Sequence, residues 1–297
     1  MRPEQVVLLS FQWKMKLPKG RGRTIVRALR VGAVSYLNTK PLIAHLRETL
    51  SGVELRLEVP SRLAIDLAAG DLDVGLIPSI EYFRSGDYTI VPGACIASVG
   101  PVMSVKLCSR KPFRDIERIA EDEGSRTSRA LLRILLKNLF EVEHESVSLP
   151  LDADPSNVDA DAVLVIGDRA MRIRDAEYPY ILDLGYEWSR WTGLPFVWAF
   201  WSVRPGLELE AAEIAAFAHA KELGRPDVPR LAREEAVKLG LPAAQCEYYL
   251  QQVIRHDFGE EEIAGLLRFR ELAVEAGLAP EGVRCVFQHP GRFVESH

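Results

Sequence analysis

The chain has 297 residues, of which 47% are hydrophobic and 27% charged, and its formal net charge is −5 at pH 7. This is globular composition, apolar enough for a sizeable core and long enough for two lobes. Acidic and basic residues are interspersed, which argues against a nucleic-acid partner, and no run of about 18 apolar residues is present to cross a membrane.

The opening, residues 1–27, places a short apolar piece, VVLLSF, before a basic tract, KMKLPKGRGR. A secretory signal has the opposite order, so residues 1–27 are expected to be a flexible basic extension of a cytoplasmic protein. From Leu29 the text alternates LRVGAV, KPLIAHLRETL, VELRLEV, RLAIDLAAGD and LDVGLI, a βαβαβ series whose Val-, Ile- and Leu-rich strands suit a sheet covered on both faces. Two further strands, YTIVPGACIAS and GPVMSVKLCSR, follow. A second α/β series then begins near Lys106, with IERIAEDEG, SRALLRILLKNLF, ESVSL and DAVLVIG. From Glu208 to about Gly277 the pattern is helical, with breaks at Gly224, Pro226, Gly240 and Gly259. These helices are expected mainly to cover their own sheet.

VMSVKLC and PFVWAFW flank the middle series and read as crossings between lobes. The expected architecture is therefore α/β and two-lobed, with a ligand cleft between lobes. Residues 28–105 and 203–297 form lobe I, and residues 106–202 an inserted lobe II.

Five loops are candidates to line that cleft. In DEGSRTSRALLRILL a strand ends at Gly124 and a helix starts, and the first N–H groups of a helix have no partner within it. Ser125, Arg126, Thr127 and Ser128 there offer three hydroxyls and a guanidinium where capping needs one hydroxyl, a cradle for a carboxylate or phosphate. In VGAVSYLNTKPL, Ser35 and Asn38 lie beyond the carboxyl end of a strand, the usual ligand side of an open α/β sheet. Ser79, in LIPSIEY, follows another strand, and Ser98 and Ser104 fall at the first crossing. Asp168, in VIGDRAM, is either a base or a helix cap. The aromatic run GYEWSRWTGLPFVWAFW reads mainly as core or hinge packing.

The chain carries none of the usual markers for other chemistries. Cys95, Cys108, Cys246 and Cys285 form no CxxC pair, and the six histidines give no HExxH or HxH, so no metal is expected. GxSxG, GxGxxG and GxxxxGK[ST] are missing too, and no cofactor is expected.

Taken together, RVGAVSYLNTKPL, GDLDVGLIPSIEY, GPVMSVKLCSR, DEGSRTSRALLRILL, VIGDRA and DLGYEWSRWTGLPFVWAFW resemble the chorismate dehydratase family of the futalosine route to menaquinone. The resemblance runs from about Leu29 to about Arg284. It implies a periplasmic-binding-protein-like (type 2) fold and a lyase that removes water from chorismate, its small-molecule substrate, to give 3-[(1-carboxyvinyl)oxy]benzoate. In that reading the helix start at Ser125–Ser128 stabilises charge on the ring carboxylate, and Asn38 and Ser104 hold the substrate. The proton goes either to Asp168 or to the substrate's own enolpyruvyl carboxylate. Two alternatives share the design: a non-catalytic solute-binding protein for a small carboxylate, and a sister enzyme of the same route.

Overall fold

The computed structural model describes residues 28–289 and 292–296, so the expected N-terminal extension lies outside it. The chain begins with β1 (Arg30–Val34), β2 (Glu54–Glu58), β3 (Val74–Pro78) and β4 (Thr89–Ser98). It then builds β5 (Val105–Ser109), β6 (Arg118–Asp122), β7 (Glu145–Leu149), β8 (Ala162–Ile166) and β9 (Tyr180–Asp183) before returning with β10 (Phe196–Val203). The last strands are β11 (Ile254–Arg255), β12 (Cys285–His289) and β13 (Arg292–Ser296). Two sheets result. The larger has the order β13-β12-β4-β10-β3-β1-β2, with β11 also on β4, and the smaller has the order β7-β6-β8-β5-β9.

β4 and β10 are antiparallel neighbours within the larger sheet. One carries the chain out to the second lobe and the other brings it back, so both crossings leave from adjacent strands and a cleft is the geometric consequence. Every residue of β10 is buried, which explains why its sequence, FVWAFWSV, has no apolar–polar alternation. Because β10 pairs with β3 and β4, the boundary expected at 202/203 moves back. The return crossing is residues 184–195, made by the helix Leu184–Thr192 and the turn after it. The outward crossing is short, residues 99–104, and Val105 already belongs to the smaller sheet.

The C-terminal segment packs helices Ala211–Gly224, Val228–Leu239 and Glu260–Glu275 against the larger sheet and its helices. It is not helical throughout, as the pattern suggested. A π-helical turn, Tyr249–Val253, followed by β11, interrupts it, and Ile254 and Arg255 pair with Ser98 and Ala97 at the end of β4. This pairing anchors the segment beside the outward crossing.

The return crossing is fixed by close packing. Trp188 is fully buried and donates Nε1–H to the Pro195 carbonyl at 3.1 Å. Gly265, on the helix Glu260–Glu275, lies so near that a Cβ there would sit 2.0 Å from the Pro195 oxygen. Substituting Gly265→Ala is therefore expected to cost about 1–3 kcal/mol or more through overpacking against backbone that cannot yield. Chemical denaturation should show a lower midpoint, and an unchanged midpoint would contradict this packing.

Candidate functional site

The cleft is bounded by the carboxyl ends of β1 and β3, the outward crossing, the β6 helix start and the turn after β8. Val34, Pro78, Ile96, Val102, Ile166 and Trp198 supply most of its apolar wall, and the space between them amounts to about 60 Å³. That is room for a few water molecules, so a ring-sized ligand requires the lobes to part.

The polar side is built in two places. The first is the start of the helix Arg126–Leu135, whose Leu, Ile and Ala residues bury one face while Ser125 takes the N-cap position in an extended conformation. The Ser125 hydroxyl makes no capping bond, so it is not consumed by the role that would have explained it locally. The preceding turn is held by Asp122, whose Oδ1 accepts the Gly124 N–H at 2.9 Å and whose Oδ2 pairs with Arg169 at 2.6 Å. Burial pushes the Asp122 carboxyl up while Arg169 pulls it down. Ser125, Thr127 and Ser128 are all nearly buried and line the cleft, where a helix N-terminus favours negative charge.

The second place is the outward crossing. The Ser104 N–H bonds the Val102 carbonyl at 2.7 Å across Met103, a residue in the left-handed region at φ 63°. Such three-residue turns are strained for a non-glycine residue. Asp183 holds this one together: its carboxylate accepts the N–H groups of Val102 at 2.9 Å and Met103 at 2.8 Å, and it also caps the helix Leu184–Thr192 through Tyr186. The turn delivers the Ser104 hydroxyl to the cleft, where Asn38 faces it from the loop after β1.

Of the residues expected from the sequence, the structure brings Asn38, Ser104, Ser125, Arg126, Thr127 and Ser128 together around this cleft. Four others do not line it. Ser35 stays at the end of β1, its N–H bonded to the Glu58 carbonyl. Ser79 is buried and donates to the Val197 carbonyl at 2.6 Å. Ser98 lies behind Trp198 and accepts its Nε1–H at 3.0 Å. Asp168, its carboxyl raised by burial, accepts the Leu37 N–H at 3.0 Å and so joins the lobes instead of facing the ligand space. The sequence could not separate these residues from true lining groups, because a strand-end serine looks the same whichever way it points.

Arg126 also departs from expectation. Its Nη1 lies 2.6 Å from Glu81 of the other lobe, so the guanidinium is part of a latch at the cleft wall. On its outer side is a hollow of about 470 Å³, lined also by Arg84, Arg129 and Arg133 with Glu123 as its one acid. Three of these four guanidinium groups are already paired with carboxylates, Arg84 and Arg126 with Glu81 and Arg129 with Glu121, so the hollow carries mixed charge. Two further bonds close the lobes: the Ile80 N–H donates to Thr127 at 3.3 Å, and Gln245 donates to the Met171 carbonyl at 3.2 Å.

The sequence reading missed three residues. Tyr36 lies flat on Gly167, which holds φ 62°, and a Cβ there would come within 2.8 Å of the ring. Tyr249, fully buried, reaches Ser104, and buried His256 donates Nε2–H to the Asn38 carbonyl at 2.7 Å. The last two come from the C-terminal segment, over 200 residues from Asn38, and only the β11–β4 pairing signals the connection.

Two α/β lobes joined by paired crossings around a small cleft define a periplasmic-binding-protein-like fold. The fold matches that of a protein of known structure from Archaeoglobus fulgidus (TM-score 0.70, 21% identity, covering 84% of this chain and 98% of that one). It also matches the periplasmic aliphatic sulphonate binding protein of Escherichia coli (TM-score 0.54, 20% identity, 86% and 89%). A family model described as menaquinone biosynthesis matches residues 29–275, and the chain belongs to that family. It is similar to a chorismate dehydratase of Thermus thermophilus, at 30% identity over 83% of this chain and 95% of the relative. Among the described residues no group of His, Cys, Asp and Glu could hold a metal ion, and no helix is long and apolar enough to cross a membrane.

His256 makes the site pH-sensitive through stability. Desolvation holds its imidazole at about 4, below its usual value of 6.5. A folded-state value below the unfolded one means stability is complete above about 6.5 and is lost as pH falls toward about 4, by up to about 3 kcal/mol from this group. Thermal midpoints measured from pH 7 to pH 4.5 should fall more steeply for the wild type than for His256→Gln. Parallel slopes would contradict a buried neutral imidazole.

Proposed function

We propose that this protein is a chorismate dehydratase: a hydro-lyase of the futalosine route that converts chorismate into 3-[(1-carboxyvinyl)oxy]benzoate. One observation carries the reading. In a chain of this family the cleft joins a helix N-terminus, three hydroxyls, an amide and the Ser104 hydroxyl, yet no carboxylate or imidazole lines it.

The reaction asks for that combination. The ring carbon bearing the enolpyruvyl ether loses its proton, and the electron pair delocalises through the adjacent double bond onto the ring carboxylate. The neighbouring C–O bond then breaks and hydroxide departs, taking up a proton to leave as water, and the ring becomes aromatic. Donors aimed at the carboxylate stabilise the charge as it develops, and the helix start at Ser125, Thr127 and Ser128 is the place for it. Asn38 and Ser104 hold the substrate from the other wall and donate to the departing oxygen.

The cleft offers no protein base, and Asp168 is engaged with the Leu37 N–H. The substrate's enolpyruvyl carboxylate, tethered beside the acidic C–H, takes the proton. An intramolecular base has a very high effective concentration, so aromatisation and closure of the lobes can supply the rest.

Incubating the purified protein with chorismate and following the aromatic product by absorbance and mass tests the activity. It also separates the enzyme from a binding protein, which would return chorismate unchanged, and from a sister enzyme, which would need a later intermediate. Asn38→Ala and Ser104→Ala should each lower kcat/KM about a hundred-fold or more, the usual loss for one donor to a developing anion. Asp168→Asn keeps an acceptor for the Leu37 N–H and should retain most activity; a comparable collapse in that variant would restore Asp168 as the base.

A further inference from the structure

We infer that Tyr249 is a positioning residue for the dehydration, fixing the direction in which Ser104 donates its proton; this rests on the function proposed above. Tyr249 begins the π-helical turn Tyr249–Val253, an uncommon form of helix often found at functional sites. The side chain is buried and its hydroxyl donates to Ser104 Oγ at 2.8 Å, while Asn38 Nδ2 approaches the same phenol oxygen at 3.4 Å. Burial raises the phenol above its usual range, so it stays protonated and remains a donor.

These contacts form a one-way chain. The phenol has one proton, and it goes to Ser104. Asn38 must therefore turn its amide N–H, not its oxygen, toward Tyr249. Ser104, already accepting from Tyr249, has its own proton left for the cleft, and such a chain polarises each successive donor. The strained Met103 turn sets where the Ser104 oxygen lies, and Tyr249 sets which way its hydrogen points. Without the phenol oxygen, Ser104 is free to turn its proton away, whereas the Asn38 amide stays oriented by the Thr39 hydroxyl, which donates to its Oδ1 at 3.3 Å.

The test is Tyr249→Phe measured beside the wild type, Ser104→Ala and the double variant, with the thermal midpoint of each. Phe fills the same space, and the two polar partners released face the cleft where water satisfies them, so the variant folds. The expected result is a kcat lowered about ten-fold or more with KM within about two-fold, because the oriented donor acts on the developing charge. In the Ser104→Ala background the same substitution should have almost no effect, since its target is gone. A near-normal kcat in Tyr249→Phe, a loss seen only in KM, or losses that multiply in the double variant would each overturn the assignment. Absence of product from the wild type would overturn the proposed function itself and this assignment with it, whereas an active wild type with an equally active Tyr249→Phe overturns the assignment alone.

Discussion

The constraint on which the molecule turns is the outward crossing, which must leave β4, reverse, and enter β5 within residues 99–104 while presenting a hydroxyl to the cleft. A turn that tight requires Met103 in the left-handed region, and a side chain pays for that conformation with strain. The half-buried Asp183 carboxylate offsets it by taking two main-chain N–H groups of the same turn. Since Asp183 also caps the return helix, the two crossings are one mechanical unit. The Gly100 N–H bond to Ser189 at 2.8 Å ties them a second time. The position of Ser104 is thus a property of the whole hinge.

Around that hinge the division of labour is plain. The small lobe contributes a helix end whose hydroxyls are left uncommitted by local capping. The large lobe contributes Asn38 and most of the apolar wall, with Val102 of the outward crossing and Ile166 of the small lobe completing it. The C-terminal segment contributes no lining residue and acts from behind, through Tyr249 on Ser104 and His256 on the Asn38 carbonyl.

The two-lobed α/β design was legible because strand runs, helix periodicity and the repeated βα order are local signals. Legible too was the helix start at Ser125–Ser128, whose surplus of hydroxyls exceeds what capping needs. The boundary at β10 was misread because an all-apolar strand in the middle of a sheet carries no mark of which sheet it joins; only its hydrogen bonds to β3 and β4 decide. Ser79 and Ser98 were misplaced for a related reason, as both satisfy buried partners that sequence spacing does not reveal. Tyr249 and His256 were out of reach because the contact that seats them, a two-residue strand against β4, is long-range and too short to leave a pattern.

The lobe-to-lobe bonds differ in how many side chains each one needs. Asp168 meets the main chain of Leu37, Thr127 that of Ile80, and Gln245 that of Met171. Of these bonds among the described residues, only Arg126 with Glu81 demands a matched pair of side chains. For the first three, replacement at position 37, 80 or 171 leaves the acceptor or donor in place, so the genetic target for losing the bond is one codon and not two. At these three bonds closure is therefore buffered against mutational drift on the main-chain side, which is the large lobe at Leu37 and Ile80 and the small lobe at Met171, and covariation between the lobes is to be looked for at positions 81 and 126.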